Sequence, residues 1–188
     1  TEYLPISSTG HLIITTSLLG LDGAEIKRSM DAFNIVIQGG AIPAVVGLYW
    51  PRIVQMIRGI LGKDALGAKL FKNLIIAFLP AAVIGLMLAE IIEEYLFRPG
   101  PVLAALALGG VWMIYIDRWH RRRELMGVTA SLIPGGGTID TMTPVQAFGI
   151  GLFQCVSMWP GTSRSMMTIA GGMMLGLRGK EAAQFSFL

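Results

Sequence analysis

The stretch from Ala32 to Trp50, AFNIVIQGGAIPAVVGLYW, is apolar apart from Asn34 and Gln38. Its length is close to the ~20 residues that a helix needs to cross a ~30 Å hydrocarbon layer, so it reads as a membrane helix. Asn73 to Ala89 and Pro101 to Ile116 have the same character, and Val145 to Trp159 is a shorter version softened by Gly149, Gly151 and Gln154. The core helix of a large soluble protein would explain any one of these, but four in 188 residues leave too little polar surface to cover them. Composition agrees: 53% of residues are hydrophobic and 14% charged, with a mean hydropathy of +0.63, where a soluble domain carries about 25% charged residues. The expected fold is an all-α integral membrane domain spanning residues 1–188.

The charges follow that scheme. A net charge of +3 and a pI near 9.2 would suit a nucleic-acid binder only with a basic face and aromatic platforms. Here the cations fall in short runs between apolar segments instead: Arg52, Arg58, Lys63, Lys69 and Lys72 after the first run, and Arg118, Arg121, Arg122 and Arg123 after Ile116. Lys and Arg at membrane ends favour the cytoplasmic side, so both runs are expected inside. The turn between them carries Glu90, Glu93 and Glu94 with only Arg98 and is expected outside. Continuing the alternation, Val145 to Trp159 runs outward and brings Pro160 onward to the outer half of the membrane. The first thirty residues begin there too. Cys155, the single cysteine, reads as a small buried hydrophobe. Both chain ends read as cut, because Thr1 is not Met and Leu188 stops inside an apolar run.

Two distant segments resemble each other. Pro5-Ile6-Ser7-Ser8 pairs with Pro160-Gly161-Thr162-Ser163, Leu18-Leu19-Gly20-Leu21-Asp22-Gly23 with Met174-Leu175-Gly176-Leu177-Arg178-Gly179, and Asp31-Ala32-Phe33-Asn34 with Ala183-Gln184-Phe185-Ser186. Three matches in one order suggest a duplication, the first copy opening with residues 1–11 and the second carrying residues 159–168. By analogy with membrane folds whose broken helices meet at the interface of inverted repeats, the copies are expected to be inverted, giving a multi-helix bundle with two re-entrant segments.

Thr1-Glu2-Tyr3-Leu4-Pro5-Ile6-Ser7-Ser8-Thr9-Gly10-His11 is too polar to face lipid and too punctuated to be a simple spanning helix. Such backbone is tolerated at membrane depth only within protein or beside water, and ionisable groups there point to function. The run offers the Glu2 carboxylate, the hydroxyls of Ser7, Ser8 and Thr9, and the His11 imidazole. Trp159-Pro160-Gly161-Thr162-Ser163-Arg164-Ser165-Met166-Met167-Thr168 is its partner. Pro160-Gly161 breaks the incoming helix, and the following N–H groups, hydroxyls and guanidinium make an apt anion site. Arg164 is the only basic residue between Arg123 and Arg178. A solvated interfacial loop and a snorkelling helix-end arginine are the bland alternatives. Together the runs supply a cation clamp, a hydroxyl nucleophile or a water, a proton-transfer imidazole and a carboxylate, which are the parts of phosphoryl transfer.

Glu2-Tyr3-Leu4-Pro5-Ile6-Ser7-Ser8-Thr9-Gly10-His11 and Pro160-Gly161-Thr162-Ser163-Arg164-Ser165 resemble the two signature motifs of bacterial undecaprenyl-diphosphate phosphatase, the bacitracin-resistance family. Phe33 to Gln38 and Phe185 to Leu188 fit it too. The resemblance implies hydrolysis of undecaprenyl diphosphate to undecaprenyl phosphate and phosphate, recycling the lipid carrier of peptidoglycan synthesis and conferring bacitracin resistance. It implies a metal or base role for Glu2, nucleophile and acid/base roles for Ser8 and His11, and diphosphate binding by Arg164, with Ser163, Ser165 and Thr168 as neighbours. The family pattern also has a second acidic residue a few positions before Glu2 and further membrane helices beyond Leu188.

The expected catalytic set is therefore Glu2, Ser8, His11 and Arg164, with Ser7, Thr9, Ser163, Arg164, Ser165 and Thr168 binding substrate. A divalent cation, Mg²⁺ or Ca²⁺, is expected on Glu2. Expected partners are a polyprenyl diphosphate and membrane lipid, with a homodimer left open and no nucleic acid. The expected location is the bacterial cytoplasmic membrane, multi-pass, with the site toward the outer face. A type-2 phosphatidic acid phosphatase reading needs a second histidine beside Ser163-Arg164, and the only other one, His120, lies in a basic run expected across the membrane. A lipid flippase or transporter of inverted-repeat architecture is the alternative of a different class.

Overall fold

The computed structural model describes residues 5–20, 24–125 and 137–188. Among these residues there are eight α-helices and no strand: α1 (Ser8–Leu18), α2 (Ala24–Leu48), α3 (Trp50–Ile60), α4 (Ala65–Leu96), α5 (Pro99–Leu125), α6 (Pro144–Val156), α7 (Arg164–Met174) and α8 (Gly179–Phe187), with a 3-10 turn at Ile139–Thr141 before α6. The expected crossings at Asn73–Ala89 and Pro101–Ile116 lie inside α4 and α5. These helices have 32 and 27 residues, or about 48 and 40 Å at 1.5 Å per residue. Both contain windows long and apolar enough to cross a membrane. Their outer faces present Leu86 of α4 at 85% and Val111 of α5 at 67% exposure, a pattern that suits lipid as the solvent. The described residues form an all-helical membrane protein.

The expected crossing at Val145–Trp159 takes another form. α6 has 13 residues, about 20 Å of helix, which falls short of a ~30 Å layer. It starts on a capping box: Thr143 N–H donates to Gln146 Oε1 at 2.8 Å, and Gln146 N–H donates to Thr143 Oγ1 at 3.3 Å. Pro160-Gly161 then ends its path, and the chain returns as α7. Gln146 Nε2, in the first turn of α6, donates to Leu175 O just past the end of α7, at 2.9 Å. Further along the pair, Gly149 faces Leu175 and Gly171 faces Phe153. α6 and α7 are thus an antiparallel hairpin whose open end lies on one side.

That open end is held by polar contacts. Arg52 Nη1 donates to Asp140 Oδ1 at 2.8 Å and Lys69 Nζ to Asp140 O at 2.9 Å. Glu181 Oε2 accepts from Ile139 N–H at 3.0 Å, and Arg178 N–H donates to Gly137 O at 3.0 Å. The hairpin's flank packs on α4, where Gly151 lies so close to Ala77 O that a Cβ would not fit. The fully buried Asn73 of α4 donates to Met142 O at 3.1 Å. Ile139, Met142, Ile150 and Leu177 are fully buried in this core, with Leu70 and Phe185 beside them. The closed tip points the other way, toward Gly85 of α4 and Val102 of α5. It therefore sits near the Glu90–Arg98 end of the α4–α5 pair and away from the Lys/Arg-rich ends.

Candidate active site

Both motifs end in helix N-termini. Ser7 caps α1 by accepting from Gly10 N–H at 3.1 Å, and Ser163 caps α7 by accepting from Met166 N–H at 3.3 Å. Each helix has 11 residues and is followed, after one residue, by a glycine with positive φ: Gly20 at +66° and Gly176 at +97°. Gly176 and Leu177 N–H donate to Met173 O and Gly172 O, the pair of bonds that closes a Schellman stop. Caps and glycines together set a register in which Ser7 matches Ser163 and Ser8 matches Arg164. The pairing read from sequence, Ser8 with Ser163, is one residue out, because the loop before α7 is a residue longer between Pro160 and its cap than the loop after Pro5.

The motifs meet at their glycines. A Cβ on Gly10 would come within 3.1 Å of Gly161 Cα. Gly161 has φ +103°, and a Cβ there would lie 2.6 Å from Val102 O, so both backbone conformation and space require glycine. Between the motifs is a cavity of about 500 Å³. Ser7, Ser8 and Thr9 line one wall, Ser163, Arg164 and Ser165 the other, with Phe97 and Met158 among its apolar residues. Six of the expected site residues are thereby brought together. Ser163 Oγ and Ser165 Oγ are 3.0 Å apart. Among the described residues Arg164 has no carboxylate partner, so its guanidinium is available to an anion.

Two expected residues, His11 and Thr168, are placed differently, and a third has no described position. Glu2 lies outside the described residues. His11 is exposed and is not in the cavity wall; it sits three residues after Ser8, on the same helix face. Its Nδ1 is 2.7 Å from Ser7 O. A carbonyl only accepts, so this bond puts the proton on Nδ1 and leaves Nε2 as the basic nitrogen. Thr168 is buried one turn into α7 and faces a neighbouring cavity, with Oγ1 2.9 Å from Arg164 O and 2.6 Å from Ser186 Oγ.

Sequence reading left Ser186 out of the site, yet it lines both the motif cavity and that neighbouring one. Its signal was a hydroxyl between two phenylalanines, Phe185-Ser186-Phe187, in a run with no other polar atom. His120 lies on α5 eighteen residues past Val102, about 27 Å along the axis, so it is no second histidine for this site. The described donors in the cavity are hydroxyls and one guanidinium, and no group of three His, Cys, Asp or Glu able to hold a metal occurs among the described residues. That donor set suits an anion and does not by itself make a cation site.

A whole-chain comparison decides the family. The description "Bacitracin resistance protein BacA" matches residues 1–188. This chain belongs to the BacA family. It is 43% identical over 191 residues to an undecaprenyl-diphosphatase of Methylibium petroleiphilum, covering all of this chain and 64% of that relative. It is 44% identical over 188 residues to one of Sorangium cellulosum, again over the whole chain and 57% of the relative. An undecaprenyl-diphosphatase of Clostridium novyi is 42% identical over 194 residues, with 64% of its length covered. This BacA-family chain thus spans less than two thirds of the relatives it matches.

Proposed function

We propose that this chain carries the catalytic cavity of an enzyme that hydrolyses undecaprenyl diphosphate to undecaprenyl phosphate and phosphate. The single observation that carries the reading is the convergence of Ser7-Ser8-Thr9 and Ser163-Arg164-Ser165 on one cavity at two helix N-termini. Each N-terminus offers unpaired N–H groups and about half a positive charge to a bound anion. Arg164 adds a permanent cation with paired donors, suited to two phosphate oxygens at once. Family membership and the activity for which the relatives are named support the same reaction.

In this mechanism the diphosphate lies across the two N-termini with Arg164 on the phosphoryl group to be transferred. Ser8 or a water attacks that phosphorus. His11 Nε2 takes the attacking proton, after a modest movement of α1 or through one water. The prenyl phosphate leaves; where water attacks, phosphate is released directly, and where Ser8 attacks, a water then hydrolyses the phosphoserine to release phosphate and restore the hydroxyl. Positioning and charge stabilisation supply most of the rate in such transfers. A divalent cation held by Glu2 and diphosphate oxygens is part of the proposal; when bound it would neutralise charge on the diphosphate. Excess chelator is then expected to suppress phosphate release from the complete gene product, and full activity in chelator would remove the metal from the mechanism.

The same reading sets the site in the outer half of the bacterial cytoplasmic membrane. The tip's position beside the acidic α4–α5 end supports it. Antiparallel entry and return of α6 and α7 support a re-entrant segment. The direct test is phosphate release from a prenyl diphosphate: wild type is active, while Ser8→Ala and Arg164→Ala are not. Unchanged hydrolysis in both variants would remove this cavity as the site, whereas no hydrolysis by the wild type would remove the enzyme reading and favour the lipid-carrier flippase.

A further inference from the structure

Two further spaces adjoin the motif cavity, and they differ in chemistry. One, of about 490 Å³ between α3, α4, α6 and α8, shares Arg164 and Ser186 with it and also presents Gln154 and Thr168. The other, of about 730 Å³, lies between α5, α6 and α7 and shares Thr162 with it. The wall of this second space includes Leu108, Trp112, Tyr115, Phe153, Val156 and Trp159. Trp112 and Tyr115 stack with centroids 5.9 Å apart. The indole N–H groups of Trp112 and Trp159 are buried and have no acceptor among the described residues, so both rings offer carbon to the space. The Thr162 hydroxyl is spent on Trp159 O at 2.6 Å.

We infer that this carbon-lined space between α5, α6 and α7 seats the first isoprene units of the lipid substrate, with Thr162 at the junction between chain and diphosphate. The inference rests on the phosphatase reading and says which of the two adjoining spaces takes the chain. The volume lies within the ~300–1,000 Å³ typical of small-molecule sites, so it holds part of a long prenyl chain and leaves the rest in the bilayer. Moving a chain from lipid into this space exchanges one apolar surrounding for another, so shape and packing decide the fit rather than a hydrophobic driving force. Stiff aromatic walls suit that task, because they lose little freedom on binding. The seated chain fixes where the diphosphate meets the N-terminus of α7, and positioning of this kind is worth large factors in rate.

The complete gene product in vesicles, treated with a farnesyl diphosphonate carrying a diazirine in its first isoprene unit, tests this without any substitution. Adducts are expected within 108–115 and 153–159. Adducts confined to Phe71, Phe78 or Phe185, in the wall of the other space, would overturn the inference, as would adducts scattered over lipid-facing Leu86 and Met87. A second measurement fills the space. Leu108→Trp and Val156→Trp are expected to raise the KM for farnesyl diphosphate at least ten-fold while leaving the inhibition constant of inorganic diphosphate, which has no chain, within two-fold. Equal effects on both would overturn the inference. Absence of any hydrolysis by wild type overturns the phosphatase reading instead, a result visible before either variant is made.

Discussion

α1 and α7 have the same length, the same serine cap and a positive-φ glycine at the same distance from that cap, yet they live in different surroundings. α7 buries Met166, Met167, Thr168, Ala170, Gly171 and Gly172 against α6 and α8. α1 buries only Gly10 and touches mainly α5. Their first turns also differ in chemistry: Ser8 stands where α7 has Arg164, and His11 where α7 has Met167. One local code therefore makes two anion-facing N-termini, and the substituents divide the labour. The rigidly packed arm holds the fixed charge. In the proposed mechanism the lightly packed arm holds the groups that exchange a proton.

The largest expected effect breaks that division on the α1 side. His11→Ala in the complete gene product should lower kcat by about 10²–10⁴, the usual contribution of a positioned acid or base. Thermal stability should hardly change, because the ring is exposed. A kcat within a few-fold of wild type would take His11 out of the proton transfer.

Next is the point of contact between the arms. Gly161→Ala forces a side chain into φ +103° and against Val102 O, at a cost of about 1–3 kcal/mol. Gly10→Ala keeps helical geometry and meets Gly161 Cα at 3.1 Å, so it should cost less. Melting of the two purified variants compares them directly, and an equal or reversed order would mean that the tip is not fixed by this contact.

The smallest effect separates the caps. Both cap hydroxyls are buried, but Ser163→Ala also loses the contact with Ser165, so it should cost about 1–2 kcal/mol against about 1 kcal/mol for Ser7→Ala. Denaturation midpoints of the two variants check the order.

Much of this was legible in the sequence because the signals were local. Pro160-Gly161 followed by Ser163 announces a break and a restart, and the apolar runs of α4 and α5 announce membrane helices. The hairpin was harder to see. Val145–Trp159 has the composition of a crossing, and long-range contacts such as Gln146 to Leu175 O and Phe153 to Gly171 show that the chain turns back. The off-by-one pairing has a similar cause: proline and serine identities suggested a match that cap geometry shifts by a residue. Ser186 escaped notice because its role depends on α8 folding back on α7, which no short window of sequence encodes. The placement of His11 outside the cavity wall was equally invisible, since helix spacing fixes the face a residue shares with Ser8 but not the direction of its ring.

The central claim is that the two motifs act as one site. Phosphate release by Ser8→Ala, Arg164→Ala and the double variant tests it most directly, in the complete gene product with a prenyl diphosphate. Groups that act on the same transferred phosphoryl are strongly non-additive, so each single variant should fall by about 10²-fold or more and the double variant should be little worse than the poorer single. Full multiplication of the two losses, or singles that keep wild-type rates, would contradict it.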